Sequence, residues 1–117
     1  MAFPVSTKIW EESMDPYDVV DYQVDLSPLL EDTEGVASYT VDPLPESELY
    51  GLEIGVAAYA PLLVGTELTL WLSINSTYQS NAVFTNGITL PIEISITTDS
   101  SPPRKKQRTV AVKVIQR

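Results

Sequence analysis

Cysteine and histidine are both missing from this chain of 117 residues. Without cysteine, disulfides and thiolate metal sites are excluded. Without histidine, a Ser-His-Asp arrangement is impossible and zinc chemistry is not expected, because histidine is the commonest general base and metal ligand. Acidic residues are plentiful, but their spacing singles out neither a carboxylate pair for glycosidic chemistry nor a calcium loop. We therefore predict that the protein is not an enzyme and holds no metal or cofactor.

Long apolar runs are missing as well. No stretch approaches the ~20 apolar residues that a membrane-spanning helix needs. The segment from Met1 to Val5 also lacks the basic and long apolar regions of a secretory signal. We therefore expect no membrane partner, and a protein that is made in a cytoplasm and either stays there or is assembled into a particle.

Basic residues are scarce until the end of the chain. Residues 1–103 hold all sixteen acidic residues and one basic residue, Lys8, which gives a formal charge of −15, whereas residues 104–117 carry +6. An acidic body disfavours non-specific DNA binding. A basic last strand beside an acidic body suits head-to-tail contact between copies. The alternative is that the last strand pairs its charges within its own domain.

Four of the basic residues are clustered: Arg104, Lys105, Lys106 and Arg108. Such a run can bind phosphate, but it has no interleaved aromatic residue for base stacking. We predict no nucleic-acid partner. The run is either a solvated connection between strands or a docking site for an acidic neighbour, and we take its four residues as candidate partner contacts.

The last thirty residues show the clearest pattern. Apolar residues occupy every second position from Ile88 to Ile96 and again from Val110 to Val114. A period of two is typical of strands with one buried face, and a helix would spread these residues around its surface. The polar segment 99–106 separates the two runs. The pattern predicts two long strands that pair as a closing hairpin.

Earlier segments predict four more strands and few helices. Alternation is clear at 20–26, 52–56 and 68–74. It is less clear at 36–41, where either of two sets could face inward: Ala37, Tyr39 and Val41, or Val36, Ser38 and Thr40. Ser27 and Pro28 favour one helical turn, with Ser27 as its N-cap. Residues 75–86 read as a polar loop with room for a short strand. Together these elements predict an all-β fold: an antiparallel immunoglobulin-like β-sandwich of about seven strands at 18–117, preceded by an N-terminal arm at 1–17.

Two tryptophans are further candidate partner contacts. Trp71 lies at an outward position of a strand whose even-numbered residues form the core, so either the arm covers it or it anchors a partner. Trp10 lies in the predicted arm. Pro91 is also on the outward side of its strand, and its missing N–H predicts that one side of the strand is unpaired there.

Four short stretches follow one another in the order found in a known family. They are Lys8 with DPYDVVDYQVD at 15–25, ASYTV at 37–41, LWLS at 70–73, and ITT with later Arg and QRT at 96–109, followed by a terminal Arg117. Together they resemble the small fibre–tail adaptor proteins of tailed bacteriophages. The sequence departs from that family after LWLS, where glycines are usual, and at 102–106, where Pro-Pro and basic residues replace a Gly-rich turn.

The resemblance implies a non-enzymatic virion component with an immunoglobulin-like fold, present in multiple copies and made in the cytoplasm of a bacterial host. Its expected partners are other virion proteins, namely a fibre and the tail or its portal or collar ring. Two alternatives stay open. One is a decoration or cement protein bound to the major capsid protein, and the other is a soluble glycan-binding module.

Overall fold

A computed structural model describes residues 8–56 and 58–117 of the protein. These residues form eight strands: β1 Lys8–Ile9, β2 Val20–Asp25, β3 Val36–Pro43, β4 Leu52–Ile54, β5 Leu62–Val64, β6 Glu67–Ile74, β7 Ile88–Thr98 and β8 Lys105–Val114. Two short helices, α1 Pro45–Glu48 and α2 Val83–Asn86, and a 3-10 turn at Ser27–Leu29 complete the described structure.

The strands form two sheets. The first has the order β1-β8-β7-β3, and the second has the order β2-β6-β4, with β5 also pairing with β6. All pairs are antiparallel except β1 with β8. The sets β2-β6-β4 and β8-β7-β3 correspond to strands B, E, D and G, F, C of an immunoglobulin-type sandwich. The predicted all-β sandwich is confirmed, with eight described strands instead of about seven.

The core lies between the sheets and follows the predicted alternation. In the closing hairpin, Ile92 faces Val110, and both side chains are fully buried. Every second residue of β7 from Leu90 to Ile96 is buried, as is every second residue of β8 from Val110 to Val114. The opposite sheet contributes the buried residues Tyr22, Val24, Leu68, Leu70, Leu72 and Ile74. Burial of this apolar surface is the main stabilising contribution.

A bulge in strand β3 explains why the alternation of its apolar residues is unclear. Val36 pairs with Thr98 and Ser38 pairs with Thr97, so the register shifts at this point and Ala37 is the extra residue of a bulge. Beyond the bulge, Tyr39 and Val41 are half-buried and face inward, while Ser38 and Thr40 are exposed. Neither of the two predicted sets is therefore inward along the whole strand.

Residues 8–17 of the predicted arm pack onto the sandwich. The Trp10 N–H donates to the Ala111 carbonyl at 3.1 Å and the Met14 N–H to the Lys113 carbonyl at 2.9 Å. Met14 is fully buried in the core. The described part of the arm therefore belongs to the packed structure, whereas residues 1–7 lie outside the described residues.

Two local predictions are corrected. Residues 75–86 contain the helix α2 and turns, and the short strand expected there is wrong. Phe84 on α2 is fully buried and belongs to the core. The helical turn at 27–29 exists as a 3-10 turn, but its N-cap is Leu26 and not Ser27. Ser27 instead donates its N–H to the Asp25 carboxylate at 2.9 Å.

Candidate interaction surfaces

Trp71 lies on the outer face of the second sheet, as its position in the alternation predicts. It pairs with Asp21 across the ladder, between the buried residues Leu70 and Leu72 of its own strand. The Tyr59 ring packs against the indole, with the ring centroids 5.0 Å apart and the planes tilted by 45°. Trp71 remains half-buried, so part of its surface faces solvent.

Strand β5 extends this outer face with exposed apolar side chains. Leu62 faces Thr69 and Val64 faces Glu67. Leu62 is 59% exposed, Val64 66% and Tyr59 40%. Large contiguous apolar surfaces mark interaction sites more often than single exposed residues do. We call Tyr59, Leu62, Val64 and Trp71 the apolar edge patch.

Acidic residues border the apolar edge patch. Asp21 pairs with Trp71, and Asp25 pairs with Glu67 in the same ladder, so all three carboxylates share the outer face with the patch. The Ser27 N–H holds the pKa of Asp25 below its usual range, which keeps this carboxylate ionised. The surface therefore matches a partner that offers apolar and basic side chains together.

Arg104, the first of the predicted basic contacts, is paired within the domain. Its guanidinium donates two hydrogen bonds to the Glu34 carboxylate, one of them from Nε at 2.8 Å, and its Nη1 lies 3.8 Å from Glu31. The Glu34 side chain is only 6% exposed. Hydrogen bonds from Arg104 lower the pKa of Glu34, and the same bonds raise the pKa of Arg104. This pair ties the connection before β8 to the loop before β3.

The remaining basic residues of the run do not form one patch. Lys105 pairs with Thr97 and so shares the outer face of the first sheet, whereas Lys106 pairs with Ile96 and Arg108 with Ile94, which are core positions. Lys105 and Lys106 are exposed, but Arg108 is half-buried. Its Nε is buried and has no hydrogen-bond partner among the described residues. The alternation of β8 therefore divides the charges between two directions.

Trp10 is buried and joins the arm to β2. Its Nε1 donates to the Gln23 carbonyl at 3.0 Å, and its ring stacks on Tyr22 with centroids 4.7 Å apart. The Tyr22 hydroxyl in turn donates to the Glu12 carbonyl at 3.0 Å. An open groove of about 320 Å³ lies beside these rings and is bordered by Glu11, Glu12 and Asp21. Trp10 is 9% exposed, so it offers little surface to a partner.

Tyr59, Leu62 and Val64 are not among the partner contacts predicted from the sequence. The available signal was the apolar run Leu62-Leu63-Val64 directly before Gly65, because its residues cannot all lie on one face of a strand. Within residues 8–56 and 58–117, acidic side chains form no cluster that could hold a metal ion. In the same ranges, no helix is long and apolar enough to cross a membrane.

Comparisons of the chain with protein-family models, with curated proteins and with solved structures find no match.

Proposed function

We propose that the protein is a non-enzymatic structural component of a tailed-phage virion, an adaptor that connects a fibre to the tail or its collar ring. The resemblance of its sequence stretches to the fibre–tail adaptors suggests this role. The observation that carries the proposal is the apolar edge patch, because Leu62 and Val64 are more than half exposed beside the Tyr59–Trp71 pair. A surface of this kind stabilises a complex when a partner covers it.

The patch would act as the centre of the contact, with acidic residues around it. Aromatic side chains bring large area at a small entropic cost, and they are enriched at the centres of interfaces. Asp21, Asp25 and Glu67 would contact basic groups at the rim, where charges guide approach and orientation more than they add affinity. The expected partner surface is therefore apolar with flanking lysine or arginine side chains.

Purified particles test the role directly. Mass spectrometry should find the protein in them, and its absence from particles would end the proposal. The double variant Leu62→Asp and Val64→Asp should fold but should be lost from particles. Leu49→Asp is the matched control, because Leu49 is 66% exposed and lies outside the patch. Equal incorporation of the patch variant and the control would show that the patch is not the contact.

Copy number separates the adaptor from the alternatives. A tail or collar ring needs about a dozen copies, whereas a decoration protein on the capsid lattice needs hundreds. Quantitative mass spectrometry against the major capsid protein measures this ratio. Binding of the isolated protein to a glycan array, combined with absence from particles, would favour the glycan-binding module.

A further inference from the structure

Strand β3 forms one edge of the first sheet, and its hydrogen-bond pattern shows which backbone groups point outward. The Leu44 N–H donates to the carbonyl of Pro91, the residue directly opposite, at 3.2 Å. In an antiparallel ladder, hydrogen-bonded pairs alternate with non-hydrogen-bonded pairs. Ser38, Thr40 and Asp42 therefore direct their backbone groups to β7. Tyr39 and Val41 direct theirs away from the sheet.

The opposite side of β7 agrees with this assignment. The Thr98 N–H donates to the Arg104 carbonyl at 2.8 Å, so even-numbered residues of β7 bond to β8 and odd-numbered ones to β3. The missing N–H of Pro91 therefore falls on the β3 side, where the ladder ends at the pair Pro43–Ile92. The prediction that one side of the strand is unpaired at Pro91 is wrong, because the Pro91 carbonyl accepts hydrogen bonds on that side from the Leu44 N–H at 3.2 Å and from the Ser47 hydroxyl at 2.6 Å.

The outward edge of β3 is open for a short, defined length. Within the described part of the chain, no strand pairs with this edge and no residue is hydrogen-bonded to the outward groups of Tyr39 or Val41. The bulge at Val36/Ser38 ends the regular edge on one side. Pro43, which has no N–H, ends it on the other side. Only Tyr39 and Val41 offer both a donor and an acceptor within these bounds.

We propose that two copies of the chain associate through this edge, with β3 of one copy antiparallel to β3 of the other and a two-fold axis at Thr40. In this register Tyr39 faces Val41 of the partner copy, and each pair exchanges two hydrogen bonds, four in total. All outward donors between the bulge and Pro43 are then satisfied. The two first sheets join into one continuous sheet, as in other edge-to-edge assemblies.

Other registers would pair the outward backbone groups of Tyr39 or Val41 with an irregular residue. An axis at Tyr39 would pair Val41 with the bulged residue Ala37, and an axis at Val41 would pair Tyr39 with Pro43, which has no donor. The alternation of hydrogen-bonded pairs and the two irregular ends thus select the axis at Thr40. The two-fold axis is perpendicular to the sheet, so both copies keep their inward sides on one face.

Side chains and charges also favour the antiparallel arrangement with a second copy. The half-buried Tyr39 and Val41 would cover one another on the inner side. On the outer side, Asp42 would lie opposite Ser38 of the partner copy, whose hydroxyl can donate to the carboxylate. Asp42 is the only charged residue of β3. A parallel pairing through the same edge would instead require the second copy to be turned over, so Tyr39 and Val41 of the two copies would lie on opposite faces and could not cover one another.

Cysteine cross-linking tests the register, because the natural chain has no cysteine. Thr40 residues at the axis form a non-hydrogen-bonded pair with Cα atoms about 4.5 Å apart, which is within the range of a disulfide. Thr40→Cys should therefore give a covalent dimer on mild oxidation. Ser38→Cys and Asp42→Cys should each give no covalent dimer alone and should cross-link when mixed.

Gln107→Cys is the matched control. Gln107 lies on the same outer face and in the same row as Thr40, two strands away, and is also exposed. Thr40→Cys must cross-link many times faster than Gln107→Cys. Equal rates would mean random collision and would overturn the proposal.

Analytical ultracentrifugation tests the dimer without cross-links. The full chain should dimerise as its concentration rises. Thr40→Lys should abolish the dimer by placing two like charges at the axis, and Gln107→Lys, which adds the same charge on the same face, should dimerise like the natural chain. Circular dichroism must show that both variants are folded. A natural chain that stays monomeric, or a dimer that Thr40→Lys leaves intact, would refute the β3 interface. The outcome is independent of the proposed virion role.

Discussion

The β7–β8 hairpin and the β5 edge are both rich in apolar residues, yet these residues differ in how far they are buried. Ile92 and Ile94 of β7 are fully buried, whereas Leu62 and Val64 of β5 are 59% and 66% exposed. Strand β7 pairs on both sides and faces the second sheet, whereas β5 has three residues and pairs only with β6. The apolar character of a residue therefore does not say by itself whether its side of the strand becomes core.

The β5–β6 connection explains why Leu62 and Val64 of β5 point outward. Val64 pairs with Glu67 across a two-residue loop, and Gly65 has a φ of +61°, which favours glycine. A loop of this length fixes the register of the hairpin. Since Leu68 and Leu70 of β6 occupy the core side, only Leu63 of β5 can face inward with them. The difference between the two regions predicts how mutations in each should behave.

The largest effect is expected in the hairpin, for Ile92→Asp. Ile92 is fully buried, and its cross-strand neighbours Val110 and Pro43 carry no charge. This change buries an unpaired carboxylate between the sheets and should cost several kcal/mol, enough to prevent folding. Ser95→Asp is the control, because Ser95 faces outward in the same strand. Thermal unfolding followed by circular dichroism compares the two. A soluble Ile92→Asp variant with cooperative unfolding would show that the inward face is misassigned.

A smaller loss is expected for Met14→Ala, which tests whether the arm shares the stability of the hairpin. Met14 is fully buried, forms a bridge with Val114 and belongs to the core. Truncating a buried methionine typically costs about 2–5 kcal/mol through lost transfer energy and the remaining cavity. Urea titration measures this cost. A loss as small as that of an exposed residue would show that the arm adds little to the folded state.

The ion pair between Arg104 and Glu34, which holds the start of β8, should make the free energy of unfolding depend on pH. The pKa of Glu34 is lowered mainly by the Arg104 hydrogen bonds, so its contribution is present above the unfolded-state pKa of about 4.3 and is lost as pH falls through the folded-state value. Glu34→Gln should lower the melting temperature at neutral pH, and the difference from the natural chain should shrink in acid.

Glu31→Gln is the control for this pair. The Glu31 side chain is 73% exposed at 3.8 Å from Arg104, so solvent screens the interaction and little change is expected. If Glu34→Gln melts at the same temperature as the natural chain at neutral pH, the pair does not hold the loop to the hairpin.

The smallest effect on stability is expected at the β5 edge, for Leu62→Ala. Its side chain is mostly exposed, so the free energy of unfolding should change by no more than about 0.5 kcal/mol. Leu72→Ala makes the same change at a fully buried position of the neighbouring strand and should cost about 2–5 kcal/mol. Comparable losses in urea titration would mean that the apolar edge patch is part of the core.

Prediction from sequence succeeded where apolar residues repeat over long strands. The closing hairpin, the strands at 20–26 and 68–74 and the outward position of Trp71 all follow from alternation. It was incomplete where one irregular residue decides the outcome. At β3 the bulge at Ala37 changes the alternation within the strand, and at 83–86 the burial of Phe84 stabilises one helical turn in a polar segment.

The candidate partner contacts were likewise only partly predictable from the sequence. Of the four clustered basic residues, the three on β8 point in two different directions, and Arg104, which precedes the strand, is engaged by Glu34, a residue 70 positions earlier. No local pattern predicts a partner at that separation. Likewise, Leu62 and Val64 are exposed because they lie on the face of the β5–β6 pair opposite to the face that packs in the core.

By itself, the sequence determined that the chain is an all-β sandwich with a closing hairpin, because the period of two is a local property of the strand backbone. It also determined the separation of charge along the chain. The tertiary structure alone decided which apolar residues are covered, which cations are paired and which sheet edge stays open at β3. Those outcomes depend on contacts between residues far apart in sequence, and they define the surfaces through which we propose that the protein binds its partners and its own second copy.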